Sequence, residues 1–298
     1  MAWKLLGRRV IAAADIGAWR NLCRQGSPSM YHNTIGHFAE LAATKAQALR
    51  RNPFGFLIAS AMAGAYVGIG ILLIFTLGQS IDPSVRSLVM GACFGIALTL
   101  VVFAGCELFT GHTMFMAFGV LRGTIGVRDL RSSWLMTWVG NLVGSALLAW
   151  IFYLGGGGQI LKTGADLIFK AADYKMNSPA VALVARGILC NWLVCLALWT
   201  SARATSDSAK CILIFWCLFA FIACGFEHSV ANMTIFSVAL LGDHPPQVSP
   251  LGALHNLAWV TLGNTIAGVF FMAGAYRWAS EPLMVWAKPV ARVPAAAE

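Results

Sequence analysis

SLVMGACFGIALTLVVFAGCELFTGHTMFMAFGVL, residues 87–121, is apolar for 35 residues apart from a few polar side chains near its middle, Glu107 the one acid among them. As one helix it would reach ~52 Å at 1.5 Å per residue, against a hydrocarbon core ~30 Å thick. It is too long for one crossing and too short for two. CILIFWCLFAFIACGFEHSVANMTIFSVALLG, residues 211–242, poses the same problem, with Glu227 in its middle. Both stretches read as helices broken partway across a bilayer.

The breaks match each other. AGCE (104–107) and CGFE (224–227) both end in Gly-x-Glu, and the apolar segment after each contains a Gly-Asn pair. These are Asn141 in WVGNLVG (138–144) and Asn264 in VTLGNTIAG (260–268), 34 and 37 residues beyond their glutamates. Simple spans are legible at about 54–78, 131–154, 180–202 and 253–278. Counting each broken stretch as one crossing gives six spans with both termini inside, and places 16 Lys and Arg inside against 4 outside. Splitting both stretches gives 14 against 6, a poorer fit to the positive-inside rule.

The expected fold is therefore all-α: a six-span transmembrane helical bundle of two inverted three-helix repeats with broken second and fifth helices. An odd number of spans per copy turns the second copy upside down, and discontinuous helices of this kind meet where a substrate binds. Residues 1–52 form an N-terminal cytoplasmic or interfacial region. The transmembrane channel domain covers 53–279, with repeats at about 53–154 and 180–279, and 280–298 is a cytoplasmic tail.

Composition agrees. Of 298 residues 58% are hydrophobic and 11% charged, with mean hydropathy +0.72. Water-soluble domains have about 25% charged residues, so most of this surface faces lipid. The net charge of +9 gives no nucleic-acid footprint, because eight of the 21 Lys and Arg precede residue 52 and most others lie in short loops. Asp15 interrupts the short apolar run Val10 to Ala14, and Arg20 and Arg24 follow, which argues against a cleaved signal peptide. Phe38, Leu41, Ala42 and Leu49 recur at helical spacing beside Lys45, Arg50 and Arg51, the pattern of a basic amphipathic helix on the cytoplasmic membrane surface. The eight cysteines form no CxxC pair and read as small packing residues.

Unwound backbone at membrane depth is tolerated only beside protein or a polar cavity. The helix halves after the breaks are expected to begin near Gly111 and Asn232, and two helix N-termini aimed inward favour an anion. His228, beside Glu227, is the ionisable group most suited to a pore; the competing reading is a histidine that holds the broken backbone. A carboxylate on an anion path would repel its substrate, so Glu107 and Glu227 are expected to accept amide hydrogen bonds and anchor the loops. Thr110 and Asn264 suit either an oxygen-bearing anion or an interhelical tie. Phe94, Leu98, Leu108, Phe109 and Phe221 suit either plain packing or a pair of hydrophobic constrictions. A bis-histidine haem on His112 and His255 has no supporting motif, and no cofactor or metal is expected.

GACFGIALTLVVFAGCELFTGHTMF (91–115), GILCNWLVCLALW (187–199) and GFEHSVANMT (225–234) resemble the formate/nitrite transporter family, and the similarity runs from about Asn52 to Tyr276. SAMAGAYVGIG (60–70), ELFTGHTMF (107–115) and HNLAWVTLGNT (255–265) resemble its nitrite branch. The resemblance implies an aquaporin-like fold, a homopentamer with one pore per protomer in the inner (plasma) membrane, and no enzymatic activity. It implies His228 as the central pore histidine near Thr110 and Asn264. Leu98, Leu108 and Phe109 would form the cytoplasmic-side constriction and Phe94 and Phe221 the periplasmic-side one. Lys175 and Asn191 would guide the anion at the outer vestibule. On this reading His228 neutralises a small monovalent anion, nitrite first, by donating a proton or by electrostatic pairing; formate or hydrosulfide is the alternative substrate. A neutral-solute channel of aquaporin type lacks its paired Asn-Pro-Ala signatures here, with Asn52-Pro53-Phe54 a single loop match.

Overall fold

The computed structural model describes residues 30–280, and every regular element in it is helical. Expectations for the stretch before residue 30 and the tail beyond 280 lie outside the described residues. In chain order the helices are α1 (His32–Arg51), α2 (Pro53–Gly78), α3 (Pro83–Cys93) running on as α4 (Gly95–Ala104), α5 (Phe109–Leu121), α6 (Val127–Leu154), α7 (Ala165–Met176), α8 (Ala180–Arg203), α9 (Asp207–Ala223), α10 (Ser229–Leu241) and α11 (Pro250–Ile266). A π-helical stretch, Ala267–Gly274, and α12 (Ala275–Ser280) prolong α11.

Among the described residues five helical rods are long and apolar enough to cross a bilayer: Pro53–Gly78, Pro83–Ala104, Val127–Leu154, Ala180–Arg203 and Pro250–Ser280. Their starts are written in the sequence. Asn52, Asp82 and Ser249 each cap the next helix by accepting a backbone N–H, and Pro follows each at the first helical position, where its missing N–H is harmless. α5 and α10 are shorter and of another kind. Every residue from Phe109 to Gly119 is buried, as is nearly all of Ser229–Ala239, so these two helices are enclosed by the long rods. They begin at Phe109 and Ser229, two and three residues before the expected starts.

Both breaks are built alike. α4 ends on Gly105 (φ 73°) and α9 closes just before Gly225 (φ 70°), each in the left-handed region that glycine enters without a Cβ clash. The amide of Cys106 reaches back to the Val101 carbonyl (3.0 Å) and that of Phe226 to Phe221 (2.9 Å), the six-to-one bond that closes a helix end. Three residues outside any helix follow in each, the last of them extended, then the next helix begins.

α2 lies along α6, and α8 along α11. Glycines allow the approach: a Cβ on Gly144 would stand 1.8 Å from the Ala61 carbonyl oxygen, and one on Gly263 2.3 Å from that of Val184. α1 differs from expectation. Its apolar face, including Phe38, Ala42 and Leu49, is buried against protein instead of lying on lipid. Phe38 stacks on Phe115 (5.1 Å), Phe118 (6.0 Å) and Trp199 (5.8 Å), an aromatic shelf that gives the helix a fixed seat.

Candidate functional site

Two asparagines hold the breaks. Asn141 Nδ2 donates to the carbonyls of Ser60 (2.7 Å) and Glu107 (2.9 Å), while its Oδ1 accepts from Phe109 N (2.9 Å). Asn264 Nδ2 donates to the carbonyls of Gly187 (2.8 Å) and Glu227 (3.1 Å), while its Oδ1 accepts from Ser229 N (3.0 Å). The backbone N–H of each glutamate also donates to a neighbouring rod, Glu107 to Ala59 and Glu227 to Arg186. Each clamp thus satisfies both the unwound carbonyl and an orphan amide of the following helix. Asn264 has no amide atom left over and is an interhelical tie.

Each glutamate makes an ion pair, and among the described residues only Glu227 accepts an amide hydrogen bond, from a side chain. Glu107 Oε2 accepts from His112 Nε2 (2.6 Å) and from Lys45 of α1. Glu227 Oε2 accepts from Asn232 Nδ2 (2.6 Å) and pairs with Lys175 Nζ (3.0 Å) at the end of α7. Behind them His112 Nδ1 meets Ser133 Oγ (2.7 Å), and Asn232 donates to Asn256 Oδ1 (2.8 Å). His112 is therefore committed on both ring nitrogens, and His255 Nε2 meets the Ser178 carbonyl (3.1 Å). The two do not converge on a common ligand, and among the described residues no group of three His, Cys, Asp or Glu is arranged to hold a metal ion.

His228 stands between two cavities. One, of about 340 Å³, is lined by Arg86, Lys175, Phe221, His228 and Asn232. The other, of about 280 Å³, is lined by Lys45, Leu98, Leu108, His112 and Lys210. Between them remains a pinched void of about 10 Å³ walled by Phe94, Leu98, Leu108, Phe221 and His228. Phe221 lies 5.9 Å from the imidazole in a stacked arrangement, and Phe94 meets Phe221 edge-on at 5.5 Å.

The imidazole is oriented from both sides. Nδ1 accepts the backbone N–H of Ala231 (3.1 Å), capping α10, so in the neutral ring the proton sits on Nε2. Nε2 in turn faces Thr110 Oγ1 at 3.2 Å. The structure thus gathers His228, Thr110, Phe94, Phe221, Leu98 and Leu108 at one level. Phe109 is buried beside them but lines none of the three spaces. Asn191, expected at a vestibule, is fully enclosed: its Nδ2 reaches the carbonyls of Thr110 (3.3 Å) and Asn264 (2.6 Å), so it braces Thr110 from behind.

Sequence reasoning missed Lys45, Asn232, Asn256, Ser133 and Arg86. A signal for part of this set exists: the fifth residue after each Gly-x-Glu is polar within an apolar helix, His112 and Asn232. Lys45 is 62 residues from its partner, and no local pattern announces it.

Comparison with known proteins bears on what passes this point. Residues 34–278 match the family model described as Formate/nitrite transporter. The chain is 53% identical over 251 residues to the "Nitrite transporter NirC" of Escherichia coli (strain K12), covering 84% of this chain and 93% of that protein. A solved "FNT family ion channel" is 52% identical, with a TM-score of 0.81 over 84% of this chain and 99% of that one. A "Pentameric formate channel with formate bound" is 25% identical, with a TM-score of 0.66 over 77% of this chain and 98% of that one. With the model match covering most of its length and a relative at 53% identity over nearly all of that relative, this chain belongs to the formate/nitrite transporter family.

Proposed function

We propose that this protein passes small monovalent anions, nitrite foremost, through a pore that runs from the Lys175 cavity past His228 to the Lys45 cavity. The observation that bears the weight is the single polar ring at a pinch between apolar walls, with Nε2 facing Thr110. α5 and α10 both start beside this level, so the partial positive charge of two helix ends favours an anion there. Moving a charge across the dry slits is costly, whereas a neutral acid crosses far more cheaply. Nε2–H is the proton the ring offers to an arriving anion. Complete transfer requires Nδ1 to take up a proton in exchange, which competes with the bond from Ala231.

The wider architecture is read the same way. Six crossings in two inverted repeats, aquaporin-like, are supported by the matched clamps and by equal offsets: His112 and Asn232 each lie five residues after their glutamate, and Ser133 and Asn256 each eight before their clamp asparagine. The positive-inside count puts both termini in the cytoplasm of a cell whose inner membrane holds the protein, and makes the Lys175 cavity the outer one. Kinship with a solved pentameric channel supports a homopentamer. The NirC relative favours nitrite, and the formate-bound channel keeps formate as the second reading.

The test is anion flux in proteoliposomes across a pH series for wild type, His228→Asn and His228→Phe. Both variants should shift or flatten the pH profile of nitrite flux, with Phe the more severe because it supplies neither donor nor cap. An unaltered profile in His228→Phe removes the imidazole from the mechanism.

A further inference from the structure

The lysine assigned to guide anions into the outer cavity is already spoken for. Lys175 Nζ lies 3.0 Å from Glu227 Oε2, with Arg186 4.0 Å from the other oxygen of the same buried carboxylate, so Lys175 is held in an ion pair and is not free to close on an incoming ion. A second cation lines the same cavity and is held differently. Arg86 Nε donates to the Gly78 carbonyl (2.8 Å) and Nη2 to the Ile81 carbonyl (3.0 Å). Both acceptors are neutral, so the guanidinium is fixed in place while keeping its charge. Among the described residues no carboxylate lies within ion-pair distance of it. Asp82, the acid one helical turn before it, is turned to its own helix and accepts from Ser84 N (2.9 Å) and Ser84 Oγ (2.6 Å).

The position is also telling. Arg86 is the fourth residue of α3, and its fork closes the C-terminal end of α2 through the Gly78 carbonyl, so the same side chain that ties the turn holds its charge at the cavity wall. The fourth residue of α9, the first half of the other broken helix, is also a cation, Lys210, and it lines the opposite cavity. Lys210 pairs with Asp207 at 2.8 Å. Of these two matched rim cations, only Arg86 has no carboxylate within ion-pair distance among the described residues.

We propose that Arg86 is the anion-capture group of the outer cavity, holding a planar oxyanion before it descends to His228, and that Lys175 instead neutralises Glu227. The inference rests on the transport reading above and names the residue that collects the substrate. A guanidinium suits the task, because its flat fork matches the two oxygens of nitrite or a carboxylate better than an ammonium does.

Nitrite flux into proteoliposomes tests this, measured at sub-saturating and saturating nitrite and at low and high ionic strength. The proteins are wild type, Arg86→Gln, Arg86→Lys, and Arg86→Gln combined with Ser87→Lys, an exposed neighbour on the same cavity. Arg86→Gln should lower flux at low nitrite roughly three- to tenfold, leave saturating flux within about twofold, and flatten the salt dependence. Arg86→Lys should retain most of the low-nitrite flux. Ser87→Lys should restore at least about half of the loss, which a role confined to tying two carbonyls would not allow. Wild-type flux and salt dependence in Arg86→Gln overturn the proposal, as does a loss that is equal at all concentrations and untouched by Ser87→Lys. Absence of anion flux in wild type sinks the transport reading with it, so the two failures are distinguishable.

Discussion

The break around Glu107 and the break around Glu227 share a skeleton and differ in what hangs on it. Each has a left-handed glycine, an asparagine clamp and a lysine brought in from a preceding helix, Lys45 on α1 and Lys175 on α7. Yet the residue after the glutamate is Leu108 in one and His228 in the other, and five residues after the glutamate the types are His112 and Asn232. The first break turns its histidine back into the loop support and shows an apolar side chain to the pinch. The second does the reverse. A backbone frame secured by neutral clamps leaves the position at the pinch free to be apolar or polar, Leu108 from one break and His228 from the other.

If the frames are equivalent, their clamps are equally important, and losing either is the largest effect. Asn141→Ala and Asn264→Ala each remove three hydrogen bonds and strand one unwound carbonyl and one helix-start amide in a buried layer, the other carbonyl keeping its own helical partner. With about 1–3 kcal/mol for each stranded group, each should cost about 3 kcal/mol or more. Thermal unfolding of the purified oligomer should therefore drop by a similar, large amount for both. A large loss for one and a small loss for the other breaks the comparison.

A smaller effect sharpens it. At Gly105 and Gly225 a Cβ would meet nothing within 4 Å, so alanine there tests backbone conformation alone. Gly105→Ala and Gly225→Ala should each cost about 1–2 kcal/mol, the penalty of a left-handed residue with a side chain. Equal shifts in unfolding temperature support matched helix ends; a shift at only one glycine says that its partner relaxes out of the left-handed region.

Much of this frame was legible beforehand, and for a physical reason. A chain that must cross lipid advertises its rods by length and hydropathy, and a 35-residue apolar run with a carboxylate inside has few solutions. The repeated Gly-x-Glu pairs mark the breaks, and the Gly-Asn pairs mark the residues that prove to be their clamps, a role the spacing alone leaves open. What stayed hidden depends on contacts distant in sequence. The lysines that pair with Glu107 and Glu227 come from α1 and α7, outside the repeated segments, so no local pattern announces those ion pairs. Asn191 was placed at a vestibule by resemblance, although its side chain braces Thr110 in the enclosed layer. The seat of α1 was misjudged because amphipathic spacing looks the same whether lipid or an aromatic shelf covers the apolar face.

The smallest expected effect is the most discriminating. Asn232 reaches Glu227 at 2.6 Å from the same helical offset at which His112 reaches Glu107, also at 2.6 Å. An asparagine at 112 can therefore serve Glu107, while Ser133, shorter than the matched Asn256, is left without the ring nitrogen it now meets. His112→Asn alone should cost about 1 kcal/mol. Adding Ser133→Asn rebuilds in the first break the amide pair of the second, and should recover about 0.5 kcal/mol or more as a favourable coupling in a double-mutant cycle. The readout is the unfolding temperature of wild type, both single variants and the double. A double variant less stable than the sum of its singles shows that the two supports are not interchangeable, and confines the likeness of the breaks to their backbones and clamps.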